Sequence, residues 1–292
     1  MPDAAGFRRP RQYARSMVNE SDVDLADGTA LHTYDTGGSG PVVFWHHGTP
    51  NIGAPPVPLF PAAERLGLRW VSYDRPGYGG SSRRPGRDVA SVASDVEKIA
   101  DALGIERFAV FGHSGGGPHA FACAALLPER VSAMVGVASM APYDADGLDW
   151  FAGMGAAGVD SLTAALAGRE AKEEYEASAG YDAEMFTASD HAALSGDWKW
   201  ILEVVGPAIE GGPDGLIDDD LAYVALWGFH PSDVKAPVLL LHGGEDRIAP
   251  FAHGEWLARQ CATAESRTFP EDGHISVLRR GEAALEWLSD RS

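Results

Sequence analysis

Five short runs of apolar residues, each bounded by turn residues, constrain the fold of this 292-residue chain more than any other feature. They lie at residues 42–45, 69–73, 107–111, 131–138 and 237–241. Because none of them alternates apolar with polar residues, each is predicted to be a strand buried on both faces. Such strands need helices on both sides, and a helix is predicted at 88–103, between two of them. The pattern predicts a parallel sheet covered by helices.

The remaining segments divide the chain into three parts. Residues 22–34 alternate around Asp27-Gly28, which predicts a hairpin before the parallel strands. Between 140 and 236 the strand pattern disappears, and helices such as 161–179 are expected instead. After the run at 237–241 we expect a helix near 251–260, a strand near 266–269 and a helix from about 275 to 288. The predicted organisation is an arm that is flexible or loosely docked (1–20), an α/β core (21–139 and 237–292) and a helical cap, or lid (140–236).

The charge is concentrated in the predicted cap. The chain has 23 Lys and Arg against 42 Asp and Glu, a net charge of −19. Residues 140–236 hold 19 acidic and 4 basic side chains, so this third of the chain carries −15. The balance argues against binding to nucleic acid or to an anionic membrane, both of which need clustered cations. Most of these carboxylates are expected to form a solvated helix face, and an acidic lid favours neutral or cationic substrates over anionic ones.

Cysteine content and targeting signals suggest an ordinary intracellular enzyme. Cys123 and Cys261 lie far apart in predicted helices and form no disulfide framework. The arginines at 8–15 precede no apolar run of secretory length, and no stretch of about 18 apolar residues is present. We expect a cytoplasmic monomer or homodimer that acts on a small molecule, with no nucleic-acid or membrane partner.

The segment 111–118 is the most informative for chemistry. Gly112, Ser114 and Gly116 form a G-x-S-x-G pattern between a predicted strand and a helix predicted at 119–127. At such an elbow the flanking glycines let strand and helix approach closely, while the serine takes a strained backbone conformation. Its hydroxyl is then held at a helix N-terminus, where backbone N–H groups can stabilise an oxyanion. The segment matches neither a P-loop nor a dinucleotide-binding turn.

A serine nucleophile needs a base, and the base needs an orienting acid. His274 follows the last predicted strand in a glycine-containing loop, and Asp246 follows the preceding strand in another. Carboxyl ends of parallel strands meet at one edge of the sheet, so the predicted triad is Ser114, Asp246 and His274. Glu245 and Asp144 are the weaker alternatives for the acid.

The oxyanion needs a second donor besides the N–H of Gly115. The turn at 46–50 follows the first long strand, and the N–H of Thr49 is predicted to supply this donor. His46 and His47 are expected to hydrogen-bond the turn, because no carboxylate or cysteine lies at metal-ligand spacing beside them. We expect no metal and no cofactor.

Taken together, four motifs resemble the α/β-hydrolase superfamily, in particular its serine-nucleophile members with a helical cap, in the esterase and proline iminopeptidase-like branch. They are 47–50 (HGTP), 73–82 (YDRPGYGGSS), 112–116 (GHSGG) and the pair formed by 243–246 (GGED) with Gly273-His274. The resemblance implies a mostly parallel eight-stranded sheet flanked by helices, with the cap inserted after the sixth strand. It also implies that Asp74 and Arg75 brace the turn after the second long strand, and that the Thr49–Pro50 bond is cis.

These features predict a serine hydrolase that cleaves a small to medium, neutral or cationic carboxylic ester through an acyl-enzyme. Three alternatives stay open: a proline iminopeptidase-like aminopeptidase or amidase, a cofactor-free haloperoxidase or C–C bond hydrolase relative, and a non-enzymatic ligand-binding or signalling protein. Relatives that open epoxides or displace halide carry Asp at the elbow, so Ser114 disfavours those reactions. The substrate pocket is expected to be lined by His113 and by aromatic and methionine residues of the cap: Trp150, Phe151, Met154, Met185, Phe186, Trp198, Trp200, Trp227 and Phe229.

Overall fold

A single eight-stranded sheet runs through the computed structural model, which describes residues 18–180 and 182–291. Its strands lie in the spatial order β1-β2-β4-β3-β5-β6-β7-β8. β1 pairs antiparallel with β2, and β2 pairs antiparallel with β4, whereas all other neighbours are parallel. The bounds are β1 Asn19–Asp24, β2 Ala30–Asp35, β3 Val42–His46, β4 Arg69–Tyr73, β5 Phe108–His113, β6 Val131–Val137, β7 Val238–Gly243 and β8 Ala264–Phe269. The predicted mostly parallel sheet is confirmed.

The burial of the strands follows their sequences. Every residue of β3, β5 and β7 is buried, as their unbroken apolar runs require, whereas the polar edge strand β1 is largely exposed. The predicted hairpin joins β1 to β2, and Gly28 lies in its turn with a φ of 83° that favours glycine. One apolar cluster covers each face of the sheet.

Ten α-helices occur in the described ranges, and five of them form the segment between β6 and β7. Outside that segment lie α1 Phe60–Leu66, α2 Ser91–Ala102, α3 Gly116–Leu126, α9 Phe251–Gln260 and α10 Gly281–Ser289. Within it lie α4 Ala156–Leu166, α5 Arg169–Glu176, α6 Ala188–Ser195, α7 Ile201–Glu210 and α8 Asp214–Tyr223. Short 3₁₀ turns occupy Val57–Leu59, Ala183–Met185, Pro231–Asp233 and Ser276–Arg280. The helical cap inserted after the sixth strand is therefore present.

Three predicted boundaries need correction. The single helix expected at 161–179 is broken at Gly168, whose φ of 107° is incompatible with a continuing helix, and so becomes α4 and α5. The final helix begins as a 3₁₀ turn before α10. Residues 1–17 of the predicted arm lie outside the described ranges, while Asn19 and Glu20 already pair with β2 in β1, because their backbone completes the hairpin ladder.

No helix in the described ranges is long and apolar enough to cross a membrane.

Candidate active site

The G-x-S-x-G segment forms a tight turn from β5 into α3. Ser114 has a φ of 55°, one of two non-glycine residues with positive φ in the described part of the chain. A Cβ at Gly112 would overlap the Gly116 carbonyl, and one at Gly116 would overlap the His46 carbonyl on β3. Both positions therefore exclude a side chain, and the strained turn holds Ser114 at the N-terminus of α3.

Ser114, His274 and Asp246 form a continuous hydrogen-bonded chain. The Ser114 Oγ lies 2.8 Å from the His274 Nε2, and the His274 Nδ1 lies 2.8 Å from the Asp246 Oδ2. The other Asp246 oxygen accepts the backbone N–H groups of Ile248 and Ala249, at 2.8 and 2.9 Å. Asp246 is thereby fixed in the orientation that pairs it with the imidazole. Both alternative acids, Glu245 and Asp144, are exposed.

Burial and charge act in opposite directions on this pair. Burial disfavours the imidazolium, but the charge and hydrogen bond of Asp246 outweigh it and raise the pKa of His274 above its ordinary 6.5. Burial likewise disfavours the carboxylate, yet His274 lowers the pKa of Asp246 below 3.8. The site thus favours a negative Asp246 beside an imidazole that readily takes up a proton.

His113, which precedes the serine, stays neutral. It is 2% exposed, and burial, reinforced by the charge of His274, lowers its pKa to about 3. Its Nε2 lies 3.1 Å from the His274 carbonyl oxygen, so the neutral ring donates there and supports the histidine loop. His113 also lines the cavity described below, as predicted.

The turn after β3 lies beside Ser114. Thr49 and Gly115 both border the same cavity as Ser114 and His274, which is the placement predicted for the two oxyanion donors. The Thr49–Pro50 bond is cis, as the resemblance implies. His47 is structural, as expected: its Nε2 accepts the Arg75 backbone N–H at 3.1 Å, and its Nδ1 donates to the Gly48 carbonyl at 2.8 Å.

A cavity of about 570 Å³ opens between the cap and the serine. Ser114, His274, Thr49 and Gly115 form its floor, and its walls are largely apolar. The apolar wall residues include Met140, Met154, Leu162, Met185, Phe186, Leu194, Ile201, Val205, Leu216 and Ile248. In residues 18–180 and 182–291, no group of three His, Cys, Asp or Glu side chains is arranged to hold a metal ion.

This architecture agrees with comparisons to known proteins. The family model described as the alpha/beta hydrolase fold matches residues 41–280, which is most of the chain. The chain belongs to the α/β-hydrolase fold family. Among similar proteins, a non-heme chloroperoxidase from Streptomyces lividans is 29% identical, covering 79% of this chain and 83% of its own length.

Two further proteins similar to this α/β-hydrolase illustrate how varied the family is. A pimeloyl-[acyl-carrier protein] methyl ester esterase from Nitrosomonas europaea is 29% identical, covering 85% of this chain and 94% of that protein. The structure of a hydrolase from Pseudomonas aeruginosa superposes with a TM-score of 0.71 at 23% identity, covering 93% of this chain and 97% of that one. The structural likeness at 23% identity shows the fold, the family match and the esterase relative support the general hydrolase class, and the substrate does not carry over.

Six predicted pocket residues of this α/β-hydrolase do not line the cavity. The tryptophans at 150, 198, 200 and 227 are buried in the two apolar clusters, and Phe151 and Phe229 pack against one of them. Trp150, for example, donates its indole N–H to the Ala141 carbonyl at 2.9 Å. Large aromatic rings bury the most apolar area, so they fill the space beneath the cap while slimmer Met and aliphatic side chains border the cavity. Of the predicted cap residues, Met154, Met185 and Phe186 do line it.

Asp190 is a cap residue that the sequence analysis missed. Its carboxylate is 1% exposed and accepts the backbone N–H groups of His274, Ile275 and Ser276, at 3.2, 2.8 and 2.8 Å. A Cβ at Gly273 would overlap the same carboxylate, which explains the glycine before the histidine. The only signal in the sequence was the spacing of Thr187 and Asp190, which marks the start of α6 through a capping box and does not reveal its contact with the histidine loop.

Most acidic residues of the cap are exposed, as expected, but a run of three on α8 is not. Asp218, Asp219 and Asp220, consecutive on α8, are all buried, and each pairs with different cations. Asp218 bonds Arg83 and Arg169, Asp219 bonds Arg75 and Arg87, and Asp220 bonds Lys172. Several of these cations belong to the core, so the pairs join cap and core.

Proposed function

We propose that this protein is a serine hydrolase that cleaves small to medium, neutral or cationic carboxylic esters through an acyl-enzyme. The supporting observation is the hydrogen-bonded chain from Ser114 through His274 to Asp246, which opens onto the cavity floor. Three side chains in this order are the arrangement that activates a serine hydroxyl in acyl transfer. An esterase among the similar proteins supports the same reaction class.

In the acylation step, the Ser114 Oγ attacks the ester carbonyl carbon while its proton passes to the His274 Nε2. The C=O electron pair moves onto oxygen, and the N–H groups of Thr49 and Gly115 stabilise that oxyanion. When the tetrahedral intermediate collapses, the bond to the alcohol oxygen breaks and the imidazolium returns the proton to the leaving alkoxide. Asp246 keeps the imidazole in the required tautomer throughout.

Deacylation repeats these roles with water. His274 takes a proton from a water molecule, the resulting hydroxide adds to the acyl carbon, and the oxyanion occupies the same two N–H groups. Collapse releases the carboxylic acid and returns the proton to the Ser114 Oγ. The enzyme ends unchanged, and the net reaction is the addition of water across one ester bond.

The cavity suggests the substrate class. Its walls bind an apolar acyl or alcohol group, but Glu176, Asp182 and Asp220 also border it. Lys172 bonds both Glu176 and Asp220, at 2.5 and 2.7 Å, and balances one of those charges. The excess of carboxylates disfavours an anionic substituent in the cavity and favours a neutral or cationic one.

A series of three p-nitrophenyl esters of equal length tests this proposal. The 6-aminohexanoate, heptanoate and adipate half-ester place an ammonium group, a methyl group and a carboxylate oxygen at the same position. We expect kcat/KM to be lowest for the adipate, and Ser114→Ala to abolish turnover of all three. Glu176→Gln is the matched charge variant and should raise kcat/KM for the adipate most. Turnover that persists in Ser114→Ala would refute the serine mechanism, and a preference for the adipate would refute the substrate class.

A second candidate, an aminopeptidase-like amidase, is favoured by the same carboxylates, because they could bind the ammonium group of an amino-acyl substrate. Prolyl and alanyl arylamides, assayed beside the esters, distinguish the two. Arylamide cleavage faster than ester cleavage would support the amidase. The absence of any Ser114-dependent turnover across both panels would favour a binding or signalling role.

A further inference from the structure

The oxyanion turn is held from behind by a buried guanidinium. Arg75, which is 1% exposed, donates from Nη1 to the His47 carbonyl at 2.5 Å and from Nη2 to the Gly48 carbonyl at 3.1 Å. The Gly48 carbonyl and the Thr49 N–H belong to one planar peptide and point in opposite directions. A donor that holds the Gly48 oxygen therefore also sets the direction of the Thr49 N–H.

Asp219 on the cap helix α8 holds that guanidinium. Its two oxygens accept from the Arg75 Nη2 and Nε, at 2.6 and 3.2 Å, and it is fully buried. Oδ2 also accepts the Thr49 hydroxyl at 2.5 Å. Thus one cap carboxylate bonds both the guanidinium that orients the peptide and the side chain of the residue that supplies the N–H.

Tyr223, one turn further along α8, reaches both halves of the predicted oxyanion hole. Its hydroxyl lies 2.8 Å from the Thr49 Oγ1 and donates to the Gly115 carbonyl at 3.0 Å. Asp219 and Tyr223 lie four residues apart, so they share one face of α8. That face of the cap bonds to the two residues that are predicted to supply the oxyanion donors.

Charge strengthens the arrangement. Arg87 also donates to Asp219, so two guanidinium groups share one carboxylate and this trio carries a net positive charge. Burial opposes the ionised carboxylate, but the two arginines hold the pKa of Asp219 well below its usual value. A cation bonded to the Gly48 oxygen polarises the peptide and makes its N–H a stronger donor, as in any chain of hydrogen bonds.

We propose that Asp219 of the cap is a positioning residue for the oxyanion hole, acting through Arg75 and Thr49. This inference rests on the proposed serine mechanism. It makes the cap part of the catalytic arrangement and not only a cover over the substrate. Asp219 does not itself line the cavity; through Arg75 and the Thr49 hydroxyl it fixes the direction and polarity of the Thr49 N–H.

The test is Asp219→Asn, assayed with p-nitrophenyl hexanoate and with phenylboronic acid as inhibitor. The boronate adds to the Ser114 Oγ and forms a tetrahedral adduct that uses the oxyanion donors. Loss of an oxyanion donor costs about 10²–10³-fold in kcat. A misdirected donor should therefore lower kcat by about 10- to 100-fold, leave KM within about twofold, and raise the boronate inhibition constant by a similar factor to kcat.

Arg83→Gln is the matched control for looser docking of the cap. Arg83 also joins the core to α8, through Asp214 and Asp218, but makes no contact with the Thr49 turn. We expect its kcat and boronate inhibition to stay near those of the wild type. Should Arg83→Gln reproduce the Asp219→Asn kinetics, the effect is general cap docking and the inference is overturned.

Tyr223→Phe provides a second test of the inference in case Asp219→Asn does not fold. It removes one hydroxyl from the same face of α8, and we expect kcat to fall about 3- to 10-fold with a parallel rise in the boronate inhibition constant. If turnover depends on Ser114 and folded Asp219→Asn keeps the wild-type kcat, this inference is overturned and the proposed function is not. If Asp219→Asn does not fold, a wild-type kcat in Tyr223→Phe overturns the inference in the same way. Turnover that is independent of Ser114 would instead overturn the proposed function.

Discussion

Replacing Asp190 with Asn should destabilise this α/β-hydrolase strongly, although the change removes only a charge. Asp190 lies on the cap helix α6 and is buried against the histidine loop. Its Oδ1 accepts hydrogen bonds from the N–H groups of Ile275 and Ser276 and from the Ser276 hydroxyl. Its Oδ2 accepts hydrogen bonds from the N–H groups of Thr187 and His274. The four backbone N–H groups can only donate, so an NH₂ group would face donors at either position.

The size of the destabilisation follows from the number of hydrogen bonds that the NH₂ group cannot accept. The Asn side chain is best oriented with its NH₂ at the Oδ2 position, because two hydrogen bonds are lost there and three would be lost at the Oδ1 position. Hydrogen bonds to a charged group contribute about 1.5–3 kcal/mol each. The free energy of unfolding should therefore fall by about 3–6 kcal/mol, a large share of the roughly 5–15 kcal/mol typical of a folded domain. Because the His274 backbone is released, kcat should also fall, by about 10- to 100-fold.

Urea unfolding followed by tryptophan fluorescence measures the first quantity, and ester hydrolysis measures the second. Asp197→Asn is the control, because Asp197 lies on the same cap but pairs with Arg279 at the surface. An exposed pair contributes at most about 1 kcal/mol. If Asp190→Asn lost no more stability than Asp197→Asn and kept wild-type kcat, the reasoning about the buried acceptor would be wrong.

The pH dependence provides a second check. Burial opposes ionisation of Asp190, but its backbone hydrogen bonds outweigh that effect and lower its pKa below 3.8. A lowered carboxyl pKa stabilises the fold above the unfolded-state value of about 3.9, and this contribution disappears as pH falls through the folded-state value. The stability difference between wild type and Asp190→Asn should thus be constant near neutrality and shrink below about pH 4. A difference that grew on acidification would contradict the assignment.

Three further outcomes are expected. Because Asp246 raises the pKa of His274 and only neutral imidazole accepts the serine proton, kcat/KM should fall on acidification with a midpoint above 6.5; in a pH–rate profile, Asp246→Asn should lower that midpoint and reduce kcat by about 10⁴-fold. Lys172→Met should cost about 3–5 kcal/mol in urea unfolding, because it leaves buried Asp220 without its cation. Gly116→Ala should yield little folded protein by circular dichroism, since its Cβ would overlap the His46 carbonyl; normal folding of that variant would refute the close-approach argument.

The fold and the meeting of Ser114, His274 and Asp246 could be predicted because each depends on a local pattern or on chain order. Unbroken apolar runs such as 42–45 and 237–241 indicate buried parallel strands, and the structure has β3 and β7 there. Ser114, Asp246 and His274 follow three different strands, and parallel strands bring their carboxyl ends to one edge. Their meeting therefore follows from topology, before any side-chain packing is known.

The pocket could not be predicted in the same way. Trp150 and Met154 lie four residues apart in the cap, yet one is buried in a cluster and the other borders the cavity. Composition identifies both as apolar but says nothing of which direction each faces. That direction depends on how the cap helices pack on the sheet, where the largest rings fill the largest volumes.

The sequence by itself determined the doubly covered sheet, the elbow at Ser114 and the cap as an acidic helical insertion, because these depend on neighbours along the chain. Only the tertiary structure decided what the acidic residues do. Asp190 and Asp219 look like any other charges of the cap, yet one holds the histidine loop and the other the guanidinium behind Thr49. These contacts join residues more than 80 positions apart. The role of a buried carboxylate depends on its hydrogen-bond and ion-pair partners, and those partners come together only when the cap folds onto the core.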